Sequence, residues 1–146
     1  MTNEQLSPHF SLSELCVTDT GLDNTPTFDA VARLRVLALF LEKVRAVLGD
    51  HPILVNSAYR SPAVNAADGG VSNSAHLLGY ACDFTCPGYG TPYQVAVALD
   101  IADQHGKIRF DQLIYEQTWV HISRDPQLRG ERLTKTDSGY IDGIVP

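Results

Sequence analysis

The sequence predicts an α+β fold: a small, mostly antiparallel sheet with helices packed on one face, leaving the other face for a cleft. Three observations lead there. Between Phe28 and Leu48 apolar residues recur every three or four positions, the period of a helix buried along one side. The stretches 52–59, 81–85, 112–116 and 119–123 are short and rich in β-branched, aromatic or alternating residues, as strands are. The last two are separated only by Gln117-Thr118, which suits a hairpin and is too short for a parallel crossover.

Length and charge set the frame. With 146 residues and 44% hydrophobic content the chain suffices for one domain, 1–146, with a sizeable core. A net charge of −6 without a basic run argues against nucleic acid as a partner, since phosphate contacts need clustered Lys and Arg. No stretch reaches the roughly 18 apolar residues of a membrane span, so membrane insertion is not expected. The N-terminus lacks the charged start and apolar run of a secretory signal, and synthesis in a cytoplasm is expected. Cys16, Cys82 and Cys86 are an odd, scattered set, which reads as reduced, buried thiols. A monomer is expected.

In chain order, Phe10-Ser-Leu-Ser-Glu-Leu15 carries a capping box between Ser11 and Glu14, with Phe10 stapling onto Leu15, and should begin a short first helix. Asp19 to Pro26 reads as a loop, and Thr25-Pro26 as the cap and first-turn proline of the long helix. Phe28, Val31, Leu34, Leu37, Ala38, Leu41, Val44 and Leu48 form its apolar stripe, and Gly49 ends it. The strand 52–59 delivers Arg60 at its end, Ser61-Pro62 opens a helical turn, and Asp68-Gly69-Gly70 breaks the chain. Thr91-Pro92 caps a further helix to about Gln104, with Val95, Leu99 and Ala102 inward. The tail from Arg129 reads as an edge strand followed by a loose end.

The chemistry gathers in Ser-Asn-Ser-Ala-His-Leu-Leu-Gly-Tyr-Ala-Cys-Asp-Phe-Thr, residues 72–85. His76 and Asp83 lie at the two ends of one compact turn, and Gly79 between them permits the left-handed backbone that folds one towards the other. Strand alternation puts Asp83 on one face with Ala81 and Thr85, and Cys82 and Phe84 on the other, so the thiol points away. His121, in Trp-Val-His-Ile-Ser, can supply a third ligand from a strand. Two imidazoles, one carboxylate and an open position are a catalytic rather than a structural zinc set. Singly, each histidine also fits an ordinary backbone-bonded role. A carboxylate inside an apolar strand, however, is costly to bury without a partner. Cys82 with Cys86 is one isolated pair, and His9, His51 and His105 read as surface or loop residues, His9 with a role in bracing the fold.

The arrangement Ser74-x-His76-x-x-Gly79-x-Ala81-x-Asp83, followed by Trp119-x-His121, resembles the zinc D-Ala-D-Ala carboxypeptidase family. That family includes bacterial wall-trimming carboxypeptidases and peptidoglycan-cutting endolysins. His9-Phe-Ser-Leu-Ser-Glu-Leu15, Gly21-Leu-Asp-Asn-Thr-Pro26, Ser57-Ala-Tyr-Arg-Ser-Pro62 and Phe110-Asp-Gln-Leu-Ile-Tyr-Glu116 look like its short, phage-type branch. The resemblance implies Zn2+ held by His76, Asp83 and His121, with Glu116 as general base and Asp111 as a weaker rival. It further implies Arg60 as an anion clamp on substrate or attacked carbonyl, Ser74 as a substrate contact and Trp119 as a wall of the cleft. The implied substrate is a peptide of bacterial peptidoglycan, reached after release or lysis with a pore-forming partner. Two rivals stand beside it: a carboxypeptidase or dipeptidase on soluble D-Ala-ended peptides, and a non-catalytic phage structural or wall-binding module that kept the fold.

Overall fold

The computed structural model describes residues 3–146. A two-stranded ribbon, β1 (Gln5–Ser7) and β2 (Phe10–Ser11), leads into a 3-10 turn at Glu14–Cys16 and the long helix α1 (Phe28–Val47). Next come β3 (Leu54–Ser57), α2 (Pro62–Ala67), a second 3-10 turn (Ala75–Leu78), β4 (Ala81–Thr85) and α3 (Pro92–Gln104). The chain closes with β5 (Gln112–Tyr115), β6 (Val120–Ser123), β7 (Glu131–Thr136) and β8 (Gly139–Asp142). Six strands form one sheet in the order β3-β4-β6-β5-β7-β8, antiparallel throughout except for the parallel pair β5 and β7.

Register decides which side chains share a face. Cys82 pairs with Ile122 and Phe84 with Val120, and these four are fully buried in a core with Leu113 and the inner faces of α1 and α3. The alternate row runs Ser57, Asp83, His121, Ile114, Leu133, Asp142 across all six strands on the opposite face. The helices thus cover one face and leave the polar row open, the layering expected. Among the described residues no helix is long and apolar enough to cross a membrane, and Cys16, Cys82 and Cys86 are free and buried.

Local differences from the sequence reading have simple causes. α1 is capped by Thr27, whose hydroxyl accepts from the Ala30 amide at 3.1 Å, while Thr25 is held by Asp23. Phe28 is the first residue of α1 and lies half a turn out of phase with buried Leu37, so it falls off the stripe and is 91% exposed. The Ser11–Glu14 box closes in both directions, at 3.3 and 3.2 Å, but Ser11 ends β2 and the turn it caps is 3-10. The first predicted strand shortens to β3. The β5–β6 connection spans 116–119, with Gln117 taking the positive φ of 72° that a glycine usually supplies.

The largest correction concerns the tail, which is not a loose end. After an irregular crossover, β7 pairs parallel with β5 and turns back into β8. Arg132 on β7 forms ion pairs with Asp100 and Asp103 of α3 and lies 5.0 Å from the Phe110 ring centroid. The crossover is fixed by Asp111. Its Oδ1 accepts from the Arg129 amide and Nε, both at 3.0 Å, and its Oδ2 accepts from Arg129 Nη2 at 2.8 Å and from Ser123 Oγ at 3.4 Å. Burial pushes the Asp111 carboxyl up, but the hydrogen bonds and charge of Arg129 outweigh it and hold the group below the ordinary range. With its lone pairs so committed, Asp111 is a structural anchor and not a rival base. Asp111→Asn should destabilise the fold at pH 7 by about 2 kcal/mol, the scale of a charged hydrogen-bond set. Because the folded pKa lies below the unfolded one, this stabilisation is full above about pH 4 and fades as pH falls through the folded value. Denaturant melts of both proteins at pH 7 and pH 3 should show the gap closing.

Candidate metal centre

The cleft face of the sheet brings the polar residues together. Asp83 on β4 sits directly opposite His121 on β6, and Asp83 Oδ1 lies 2.8 Å from His121 Nδ1. His76 comes from the 3-10 turn just before β4. Ser74 caps that turn by accepting from the His76 amide at 3.2 Å, and Gly79 ends it with φ of 83°. A Cβ at Gly79 would meet the Ala30 carbonyl at 3.3 Å and Leu34 at 3.4 Å, so this turn is pressed onto α1. His76 Nε2 thereby reaches to 3.3 Å from Asp83 Oδ1. Ligand atoms of His76, Asp83 and His121 all lie within 4.8 Å of one another.

Whether these residues fit a metal is decided by their protons. His76 Nδ1 is 2.6 Å from the Ala58 carbonyl, which can only accept, so the proton sits on Nδ1 and the Nε2 lone pair faces the cleft. Burial holds the His76 pKa below its ordinary value despite the Asp83 charge, which keeps the ring neutral at pH 7. A neutral Nε2 and an ionised Asp83 Oδ1 are then two acceptors facing each other, an arrangement that needs a cation between them. His121 has Nδ1 towards the same carboxylate and Nε2 buried without a hydrogen-bond partner. Burial pushes Asp83 up, yet the imidazoles gathered on Oδ1, His121 first among them, outweigh it and leave its pKa far below the ordinary range. Nitrogen and oxygen donors in this number, with a backbone carbonyl fixing one tautomer, fit zinc.

Arg60 has a structural role that the sequence did not reveal. Its Nη2 donates to Asp83 Oδ2 at 3.1 Å, so the carboxylate offers Oδ1 to the histidines and Oδ2 to the guanidinium. Nε donates to Ser57 Oγ at 2.9 Å and Nη1 to Asn65 Oδ1 at 3.4 Å, with Asp68 3.4 Å from Nε. A bulge in β3 puts Ser57 opposite Asp83. Buried Asn24, which sequence reasoning passed over inside a loop, holds this segment: its Nδ2 donates to the carbonyls of Cys16 and Tyr59, and its Oδ1 accepts from the Ser61 amide at 2.7 Å. Gly70 is equally constrained, since a Cβ there would fall 2.1 Å from Asn65 Oδ1 and 3.0 Å from Arg60 Nη1.

A cleft of about 660 Å³ contains His76, Asp83 and His121 together with Arg60, Ser74, Glu116 and Trp119. Glu116 follows β5, two residues beyond Ile114 on the same face. Burial raises its pKa above the ordinary glutamate value, helped by the Asp83 charge and opposed by His121 and Lys135. The opposite wall is one the sequence did not disclose: Leu133, Lys135 and Tyr140 of β7 and β8. An edge strand in the tail was readable, but nothing local said that it pairs with β5 and turns back to line this cleft.

The model of the peptidase M15 family matches residues 8–123. The chain belongs to that family. His76, Asp83, His121 and Glu116 all lie within the matched M15 segment, whereas Leu133, Lys135 and Tyr140 lie beyond it. The zinc D-Ala-D-Ala carboxypeptidase of Streptomyces albus G is 36% identical over 77 residues, which is 51% of this M15 chain and 30% of that protein. The chain therefore spans less than a third of that curated relative. Purified wild-type chain should carry one zinc by elemental analysis, and His76→Ala should lose it; full metal content in that variant would remove His76 from the ligand set. Gly79→Ala should cost about 1–2 kcal/mol in stability, the strain of a left-handed non-glycine residue, and loosen zinc in a chelator competition.

Proposed function

We propose that this M15 chain hydrolyses a peptide bond in bacterial peptidoglycan, acting on intact wall as an endolysin-type peptidase. One observation carries the reading: two histidines and one carboxylate, which would hold a zinc ion and leave it able to take substrate or water, converge in the same cleft as a carboxylate of raised pKa. Zinc in such a set supplies Lewis acidity, polarising a carbonyl and lowering the pKa of water to about 7.

The protein groups do the rest. Glu116 accepts the proton of the attacking water and returns it to the leaving amine, a role worth about 10²- to 10⁴-fold in rate, and its raised pKa brings it nearer the working pH. Arg60 spends one N–H of Nη1 and one of Nη2 on Asn65 and Asp83, which leaves one on each for a carbonyl or carboxylate of the peptide. The Ser74 oxygen is engaged as a cap, but its proton is free to donate to a substrate backbone. Trp119 offers the aromatic surface of the cleft wall.

The peptidoglycan target is supported by the kind of relative found, a protein named for cleaving D-Ala-D-Ala. That same name favours a second reading, a carboxypeptidase on soluble D-Ala-ended peptides. In the wall reading, the enzyme acts at the cell wall after release or lysis, reached with a pore-forming partner.

Digestion of purified sacculi and of defined muropeptides, followed by mass spectrometry, separates the readings. Fragments released from intact sacculi support the wall enzyme; terminal D-Ala released only from free peptides supports the second reading; binding to wall without any cleavage would sink both. Glu116→Gln should retain zinc and lower kcat by about 10²- to 10⁴-fold with little change in KM. In the wild type, kcat/KM should rise with pH along an acid limb set above the ordinary glutamate value of about 4.3. That limb reflects loss of the Glu116 proton and should be missing from the variant.

A further inference from the structure

We propose that Tyr140, on the C-terminal hairpin, is the positioning residue for the base Glu116, which makes β7 and β8 a working part of the active site. The proposal rests on the assignment of Glu116 as base and adds what holds that base in place. Among the described residues, the Tyr140 hydroxyl is the side-chain group that hydrogen-bonds the Glu116 carboxylate, donating to Oε1 at 3.4 Å. The other oxygen is left to handle a proton. A carboxylate on a loop after a strand end can rotate about three side-chain bonds, and a single fixed donor removes much of that freedom.

The donor itself is held from several directions. Tyr140 pairs across the hairpin with Lys135, whose ammonium lies 5.6 Å from the Tyr140 ring centroid. Gln117 Nε2, one residue after the base, donates to the Lys135 carbonyl at 2.8 Å and pins the β5–β6 turn to β7. Thr136 Oγ1 donates to the Gly139 carbonyl at 2.7 Å, closing the turn between β7 and β8. Arg132 fastens β7 to α3 through Asp100 and Asp103. These contacts run from the helical layer, through β7, to the strand that carries the half-exposed Tyr140 ring and the hydroxyl that meets Glu116.

The chemistry is directional. A phenol that donates to the ionised carboxylate favours that form, which is the form a general base needs. The reciprocal effect appears on the phenol, which burial and the adjoining Glu116 charge push above the ordinary tyrosine value. The charged groups facing Glu116 are His121 from β6, Asp83 from β4 and Lys135 from β7. Of the groups facing the carboxylate, Tyr140 and Lys135 lie beyond residue 123, outside the segment matched by the family model. The hairpin thus adds contacts to the base from outside that segment.

The test is a double-mutant cycle on the full-length zinc-loaded protein, using a wall peptide that the wild type cleaves. Tyr140→Phe keeps the ring under Lys135 and removes only the hydroxyl. It should retain zinc and its melting temperature, leave KM within about twofold and lower kcat about tenfold. Because the hydroxyl acts through Glu116, Tyr140→Phe should cost nothing further in a Glu116→Gln background. Independently of activity, the Tyr140 phenol followed by ¹³C NMR should titrate at lower pH in Glu116→Gln than in wild type. Equal losses in both backgrounds, or a kcat drop that tracks lost zinc, would overturn the proposal, as would an unmoved phenol titration. Failure of the wild type to cleave any wall peptide would instead sink the function proposed above, and it is seen before any variant is made.

Discussion

Asp83 is an ionised carboxylate in the middle of a six-stranded sheet, and most of the surrounding structure exists to keep it that way. An isolated charge at that depth would be protonated or would pull the strand apart. Its two oxygens face different partners: Oδ1 takes the imidazoles of His121 and His76, and Oδ2 takes the Arg60 guanidinium. Each partner has its own support, through the Ala58 carbonyl for His76, the β4–β6 register for His121, and Ser57 with Asn65 for Arg60. The same geometry that stabilises the charge aims it into the cleft, so structural need and metal-binding capacity are met by one arrangement.

The scaffold divides its labour by distance along the chain. His76 and Asp83 are joined by one tight turn and need only Gly79 and Ser74 to face each other. Bringing His121 to them requires the pairing of β4 with β6, an alignment that depends on the buried set Cys82, Phe84, Val120 and Ile122 on the reverse face. A one-residue slip of either strand would turn its own residue of the pair, Asp83 or His121, into that apolar core and part it from the other. The core therefore enforces the register on which the donor set depends.

How much of this could be read from the sequence follows from the range of each interaction. The long helix, the strand 81–85 and the clustering of His76, Asp83 and His121 were legible because periodicity, alternation and a glycine between a histidine and an aspartate are local signals. Arg60 was legible as a residue of interest, but its bond to Asp83 was not, because that bond depends on a bulge in β3 and on Asn24 reaching across from another loop. Phe28 was misplaced because its three-residue spacing to Val31 imitates the stripe, whereas the buried face runs through Ala30, Leu34 and Leu37, with which Phe28 is out of phase. The tail was read as an edge strand with a loose end, and its place in the sheet was missed, because a parallel partner 19 residues earlier, as in the Gln112–Glu131 pair, leaves no trace in its own composition.

The parallel pairing of β7 against β5 has a consequence for how the molecule tolerates shortening. Without residues beyond Ser123, β5 would present an unpaired row of amides and carbonyls flanked by Leu113 and Ile114, a template for self-association. The chain answers this by laying down a further hairpin whose outermost strand, Gly139–Asp142, is short, carries an acid at its end and is followed by another glycine. The covering of the β5 edge and one wall of the cleft are in this way supplied by the same last two strands.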